Sequence, residues 1–100
     1  MDKPVRIVAD LMGMLANENR LMILCALLER PMTVGELAGY VPGISAPALS
    51  QHLHKLNSAG LISFEKEAQF SRYFISDPHL HKLIALLREE YCPRGDLLQP

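Results

Sequence analysis

Between Thr33 and Gly60 the chain reads as two capped helical segments joined by a tight turn, and this span limits the possible folds more than any other feature. Thr33 followed three residues later by Glu36 has the form of a capping box, so a short helix opens there. Gly39 and the Pro42-Gly43 pair end it in a turn. Ser45 supplies a second N-cap, Pro47 is tolerated in the first helical turn and Gly60 closes the C-terminal end, which places this helix at about residues 45–59.

The segments on either side must build a core around this pair. From Pro4 to Ala16, Val5, Val8, Met12 and Leu15 follow helical spacing, with Ile7, Leu11 and Met14 as a second stripe beside them. A helix over residues 4–16 would therefore be apolar on two sides. Asn17 caps a second helix running through Arg20 to about Glu29, whose centre, LMILCALL, is apolar nearly all round and belongs in the core. Arg30-Pro31 stops it. Leu61 to Lys66 and Phe70 to Ser76 alternate like strands across the polar step Glu67-Ala68-Gln69, a hairpin within residues 61–76. A last helix over residues 78–92 offers the stripe Leu80, Leu83, Ile84, Leu87 and Tyr91 before Pro93 ends it. The expected fold is mainly α with a β-hairpin wing, in the order four helices, two strands, one helix: a winged helix-turn-helix.

At 100 residues the chain has single-domain length, and residues 1–100 are read as one such domain. Hydrophobic residues make up 49% of it, enough for a small domain to hide apolar surface against a second copy of itself. No apolar run approaches the roughly 20 residues that span a bilayer, and no apolar segment followed by a cleavage site directs export, so a cytoplasmic protein without membrane contact is expected. In a reducing compartment Cys25 and Cys92 are read as thiols and not as a permanent staple. No phosphate loop, nucleophile elbow or HExxH motif is present, so neither an enzyme nor a cofactor is called for.

The formal net charge of −1 announces no nucleic-acid partner, so any such case rests on local pattern. On the helix of residues 45–59, Leu49, Leu53 and Leu56 share one side, while Pro47, Gln51, His54 and Lys55 point the other way with Ser50 on the flank. From Ser45 to Phe64 there is no carboxylate to repel phosphate. A face of donors and acceptors without acids suits a major groove, although a polar helix face taken alone is as well explained by solvation. The sum of two capped helices, a tight turn and a hairpin carrying Lys66, Gln69 and Arg72 favours double-stranded DNA. Ser50, Gln51, His54 and Lys55 are then the groove-reading candidates, with Gln69 and Arg72 near the hairpin tip reaching the adjacent minor groove or backbone.

The runs LANENRLMILCALLERPMTVGELA and ISAPALSQHLHKLNSAGLISFEKEAQFSRYFIS resemble the ArsR/SmtB winged-helix repressors from about residue 8 to residue 92. The family's recognition-helix signature falls on Ala48, Leu49, Ser50, Gln51, His52 and Leu53, and its wing on Lys66 through Tyr73. The resemblance implies a homodimer joined through its first and last helices, reading an operator built as an inverted repeat. Ala46 and Pro47 stand where relatives often place polar residues, and neither Ser45 nor Pro47 is taken as a base reader.

What such a repressor would sense is narrowed by the same resemblance. Arsenic sensors of the family carry a Cys-x-Cys pair on the third helix, where this chain reads TVGELAGY. Zinc sensors place Asp-x-His at the start of the last helix; Asp77 and His79 match this half, but the other half would fall on Glu90 and Pro93, and proline cannot ligate. No metal is therefore expected, with Asp77 and His79 as weak candidates whose plainer roles are a helix cap and a solvent-facing side chain. Cys25 and Cys92 resemble the paired thiols of the persulfide-sensing branch, the BigR/SqrR-like and HlyU-like regulators. That likeness implies an inducer that is a reactive sulfur species or another oxidant. Read from the residues alone, Cys25 serves equally well as a small buried hydrophobe.

Overall fold

A computed structural model describes residues 3–91. The elements run α1 (Lys3–Leu15), α2 (Glu18–Glu29), β1 (Met32–Thr33), α3 (Val34–Ala38), α4 (Ala46–Ser58), β2 (Ile62–Glu67), β3 (Phe70–Ile75) and α5 (Pro78–Tyr91). Each expected helix is present, and α2, α3 and α4 begin at their expected caps; Pro93, expected to end the last helix, lies outside the described residues. Asn17 is extended (φ −159°) and its side chain accepts from the backbone N–H of Arg20 at 3.1 Å, starting α2. Thr33 and Glu36 form both halves of the capping box, with Glu36 N–H donating to Thr33 Oγ1 at 3.2 Å and Thr33 N–H to Glu36 Oε1 at 2.9 Å. Gly60, at φ +77°, lets α4 close as a Schellman motif: Gly60 N–H donates to the Asn57 carbonyl and Leu61 N–H to that of Leu56. Leu56 and Leu61 are both buried, which adds the motif's hydrophobic contact.

One element was not foreseen. Met32 and Thr33 pair antiparallel with Tyr73 and Arg72, so the wing is a three-stranded sheet in the order β1-β3-β2. Two residues cannot display an alternation, and the capping role of Thr33 masks its strand role. The β2–β3 register sets Ile62 opposite Ile75, Phe64 opposite Tyr73 and Glu65 opposite Arg72. Because side chains alternate, Ile62, Phe64 and Lys66 share a face with Met32 and Tyr73, whereas Ser63, Glu65, Glu67, Phe70 and Arg72 share the opposite one. The first face leans on the helices: Met32 and Ile62 are buried and Tyr73 packs on the core, its ring 5.4 Å from that of Phe64.

Among the described residues a single hydrophobic cluster joins all the helices to the sheet, with α2 at its centre through Ile23, Leu24, Ala26 and Leu27, met by Leu49, Leu53 and Leu56 of α4 and Leu80 and Ile84 of α5. The α5 stripe reaches as far as Leu87; Tyr91, expected to continue it, is 77% exposed. On α1 only Leu15 is buried, Leu11 and Met14 are partly covered, and Val5, Ile7, Val8 and Met12 lie open. No single helix is long and apolar enough to cross a membrane.

Candidate nucleic-acid interface

Helix α4 presents the two faces that its sequence implied. Leu49, Leu53 and Leu56 are 1% exposed or less, fixing its inner side, and Ser45 Oγ accepts from Ala48 N–H at 3.2 Å to hold its first turn. Ser50, Gln51, His54 and Lys55 are all exposed, and the described structure pairs none of their side chains with a carboxylate. The α3–turn–α4 unit therefore offers an outward strip of hydroxyl, amide, imidazole and ammonium groups on a helix clamped by its leucines.

A polar contact overlooked in the sequence ties this helix to its neighbours. Arg20, in the first turn of α2, donates through Nη1 to the Met14 carbonyl at 3.0 Å and through Nε to His52 Nδ1 at 3.3 Å. One guanidinium thus joins the end of α1 to the middle of α4. The imidazole of His52 must be neutral to accept this bond, and partial burial, followed by the charges of Arg20 and Lys55, holds its pKa below the usual value. A histidine between the core and the exposed strip was the only available hint.

On the wing, Gln69 sits exposed in the two-residue turn between Glu67 and Phe70. Arg72 was expected near the tip, but it lies farther along β3, opposite Thr33 and Glu65. Its guanidinium meets Glu67 twice, at 3.2 and 3.3 Å, and Glu36 at 3.1 Å. Glu36 also accepts from Arg30 at 3.2 Å. Arg30, Glu36, Arg72 and Glu67 thus form a chain of ion pairs from the end of α2 through the capping box of α3 to the wing. The Thr33 N–H first, then Arg30 and Arg72, hold the Glu36 carboxyl below its ordinary range.

The sensing residues divide. Cys25 is buried in α2, 3% exposed, and Cys92 lies outside the described residues. Helix α5, which leads to Cys92, packs along α2 and is tied to it by Arg88–Glu29 at 3.0 Å. Asp77 Oδ1 accepts from the backbone N–H groups of His79 and Leu80 at 2.8 and 3.3 Å, the capping role, and His79 is exposed. Among the described residues no group of three or more His, Cys, Asp or Glu is placed to hold a metal ion.

A short helix, a tight turn, an outward polar strip on the next helix and a sheet wing beside it define a winged helix-turn-helix DNA-binding domain. The family model for bacterial regulatory proteins of the arsR family matches residues 17–63. The transcriptional activator HlyU of Vibrio cholerae is 41% identical over 92 residues, covering 92% of this chain and 84% of that protein. The reduced form of Vibrio cholerae HlyU superimposes with a TM-score of 0.84 at 41% identity, over 90% of this chain and 94% of that one. The transcriptional repressor BigR of Xylella fastidiosa gives 0.81 at 31% identity, over 90% and 91%. A homodimeric winged helix-turn-helix DNA-binding domain from Mycobacterium bovis gives 0.77 at 28%, over 90% and 82%. The chain belongs to the ArsR family of DNA-binding transcriptional regulators.

Proposed function

We propose that the chain is a homodimeric repressor that reads an inverted-repeat operator through Ser50, Gln51, His54 and Lys55 of α4, with Gln69 and Arg72 of the wing on the flanking backbone or minor groove. What carries this reading is the α4 strip, four exposed groups without a carboxylate set against three buried leucines. Lys66 adds a cation on the sheet face that is turned toward the helices. The partner is double-stranded DNA, and the protein works where that DNA is kept. Titrating duplex DNA at several salt concentrations tests the reading. Each neutralised phosphate contributes about −0.9 to the slope of log K against log salt, so a steep fall is expected and a flat response would refute DNA binding.

The second half of the proposal is a thiol switch. Cys25 and Cys92 are the sensing pair: one thiolate takes the outer sulfur of an organic persulfide and releases the parent thiol, and the other attacks the inner sulfur of that cysteine persulfide and expels hydrosulfide, closing a disulfide, or a trisulfide where both cysteines have first been persulfidated. Two features support this: α5 leads from the α2 surface directly to Cys92, and HlyU, the relative with 41% identity, has been solved in a state named as reduced. Bridging would hold α5 to α2 and shift the dimer helices relative to the two copies of α4, releasing the operator. Persulfide treatment should raise the intact mass by sulfur increments or lower it by a hydrogen pair, and weaken operator binding. Cys25→Ser and Cys92→Ser should each abolish both effects while the untreated variants still bind. If both variants still respond, the dithiol reading is wrong.

A further inference from the structure

In the free protein, Arg72 is the most heavily engaged cation of the wing. Its Nε and Nη2 face the two carboxylate oxygens of Glu67, and its Nη1 faces Glu36. The two acids are held differently. Glu36 is fixed by the Thr33 N–H and by Arg30 in addition to Arg72, and its side chain is 38% exposed. Glu67 is 66% exposed, stands at the last position of β2 before the turn, and has Arg72 as its one ion-pair partner among the described residues. Glu65 lies opposite Arg72 on the same face, so this strip of the wing carries three charged groups, two carboxylates and one guanidinium. That surface repels a phosphate for as long as the arginine stays paired.

We propose that Glu67 is an internal competitor for Arg72: on DNA binding, a backbone phosphate takes the place of the Glu67 carboxylate on the guanidinium, while Glu36 keeps its bonds and holds the strand in position. This rests on the DNA-binding reading given above and adds an affinity-setting role for Glu67. The chemistry is an exchange of one anion that presents two oxygens, the planar carboxylate, for another, the tetrahedral phosphodiester with its two non-bridging oxygens. A bidentate arginine binds carboxylate and phosphate in the same fork, so the exchange needs only the exposed Glu67 side chain to swing away. An exposed pair of this kind is weak enough to be displaced, and any free energy that holds it closed is subtracted from binding. The wing thus presents its cation only to a ligand able to outbid a carboxylate.

The test is a double-mutant cycle on sonicated mixed-sequence duplex DNA, because a phosphate contact does not depend on base sequence. Thermal melts confirm first that each variant is folded. Glu67→Gln should tighten binding by about two- to fivefold, the range expected from releasing an exposed ion pair. Arg72→Gln should weaken it and reduce the steepness of the log K against log salt plot by about 0.9, the share of one phosphate. With both substitutions present, affinity should match that of Arg72→Gln alone. A gain from Glu67→Gln that persists when Arg72 is also replaced would show general charge repulsion in place of competition for the guanidinium, and would overturn the proposal. So would an unchanged salt slope in Arg72→Gln, or an unchanged affinity in Glu67→Gln. If the wild-type protein itself shows no salt-dependent binding to duplex, the DNA reading falls and takes this exchange with it.

Discussion

At Ala68 the backbone takes φ +59°, the left-handed region, in the two-residue turn that joins the wing strands. Hairpins of this length need a positive φ to match the twist of their strands, and glycine usually provides it. A side chain there costs about 1–2 kcal/mol, partly offset by the smaller backbone entropy that alanine loses on folding. Ala68→Gly should therefore stabilise the protein by up to about 1 kcal/mol, seen as a higher urea midpoint with an unchanged slope. His52 gives a pH dependence of definite sign. Its pKa in the folded protein lies below the ordinary 6.5, so between those two values the unfolded chain binds more protons and stability falls as pH drops. The loss begins near 6.5 and is complete below the folded value, where a protonated imidazole can no longer accept from Arg20. His52→Gln keeps an acceptor without a titrating group, and melts of that variant should lose this component of the stability loss below pH 6.5. Glu36 behaves likewise in a more acidic window: its carboxyl is held below 4.5, so its contribution is present above that pH and disappears as pH falls through the lowered value.

The recognition element separates stability from affinity by face. Leu53 is 1% exposed on the inner side of α4, and Leu53→Ala should cost about 2–5 kcal/mol in a chemical melt, through lost burial and the cavity left behind. Lys55, two residues on and on the outer side, should leave the melt nearly unchanged when replaced by Gln, while affinity drops on every duplex and the salt slope falls by about one phosphate's share. If Lys55→Gln binds as the wild type does, the strip does not face DNA. This division was legible in the chain because helix caps and a leucine repeat are local signals: Ser45, Thr33, Glu36 and Gly60 each act within one turn of their partners. What was not legible depends on distant register. Met32 and Thr33 become a strand only because β3 lies beside them, and Arg72 meets Glu36 across 36 positions of sequence. Arg20 was likewise silent, since its acceptor His52 is 32 residues away. Tyr91 fits the helical period of α5 yet stays open, because a stripe marks a face and not how far its neighbours extend.

A molecule that reads two half-sites must hold its two copies of α4 about 34 Å apart, one turn of DNA, so its affinity depends on surfaces far from the groove. Four of the nine large apolar residues that are exposed among the described residues lie on α1, where Val5, Ile7 and Val8 are 52%, 66% and 54% exposed and Met12 is 45%. Single exposed hydrophobes are ordinary, but a run of them along one helix is the mark of a contact with another protein, and the second copy of the proposed homodimer would cover it symmetrically. Because Arg20 ties the end of α1 to His52 of α4, an altered pairing of α1 would reach α4 through this contact. Val8→Glu places a carboxylate in the middle of this face, at a site too exposed in the single chain to disturb its core. The variant should sediment as a monomer at concentrations where the wild type is a dimer, and its melting temperature should lose any dependence on protein concentration. On a duplex carrying both half-sites its affinity should collapse and its salt slope fall to about half, because only one α4 and one wing remain engaged. A Val8→Glu protein that stays dimeric would place the interface elsewhere. One that becomes monomeric yet keeps the full salt slope would show that a single copy makes all the phosphate contacts, and the symmetric reading of the operator would fail.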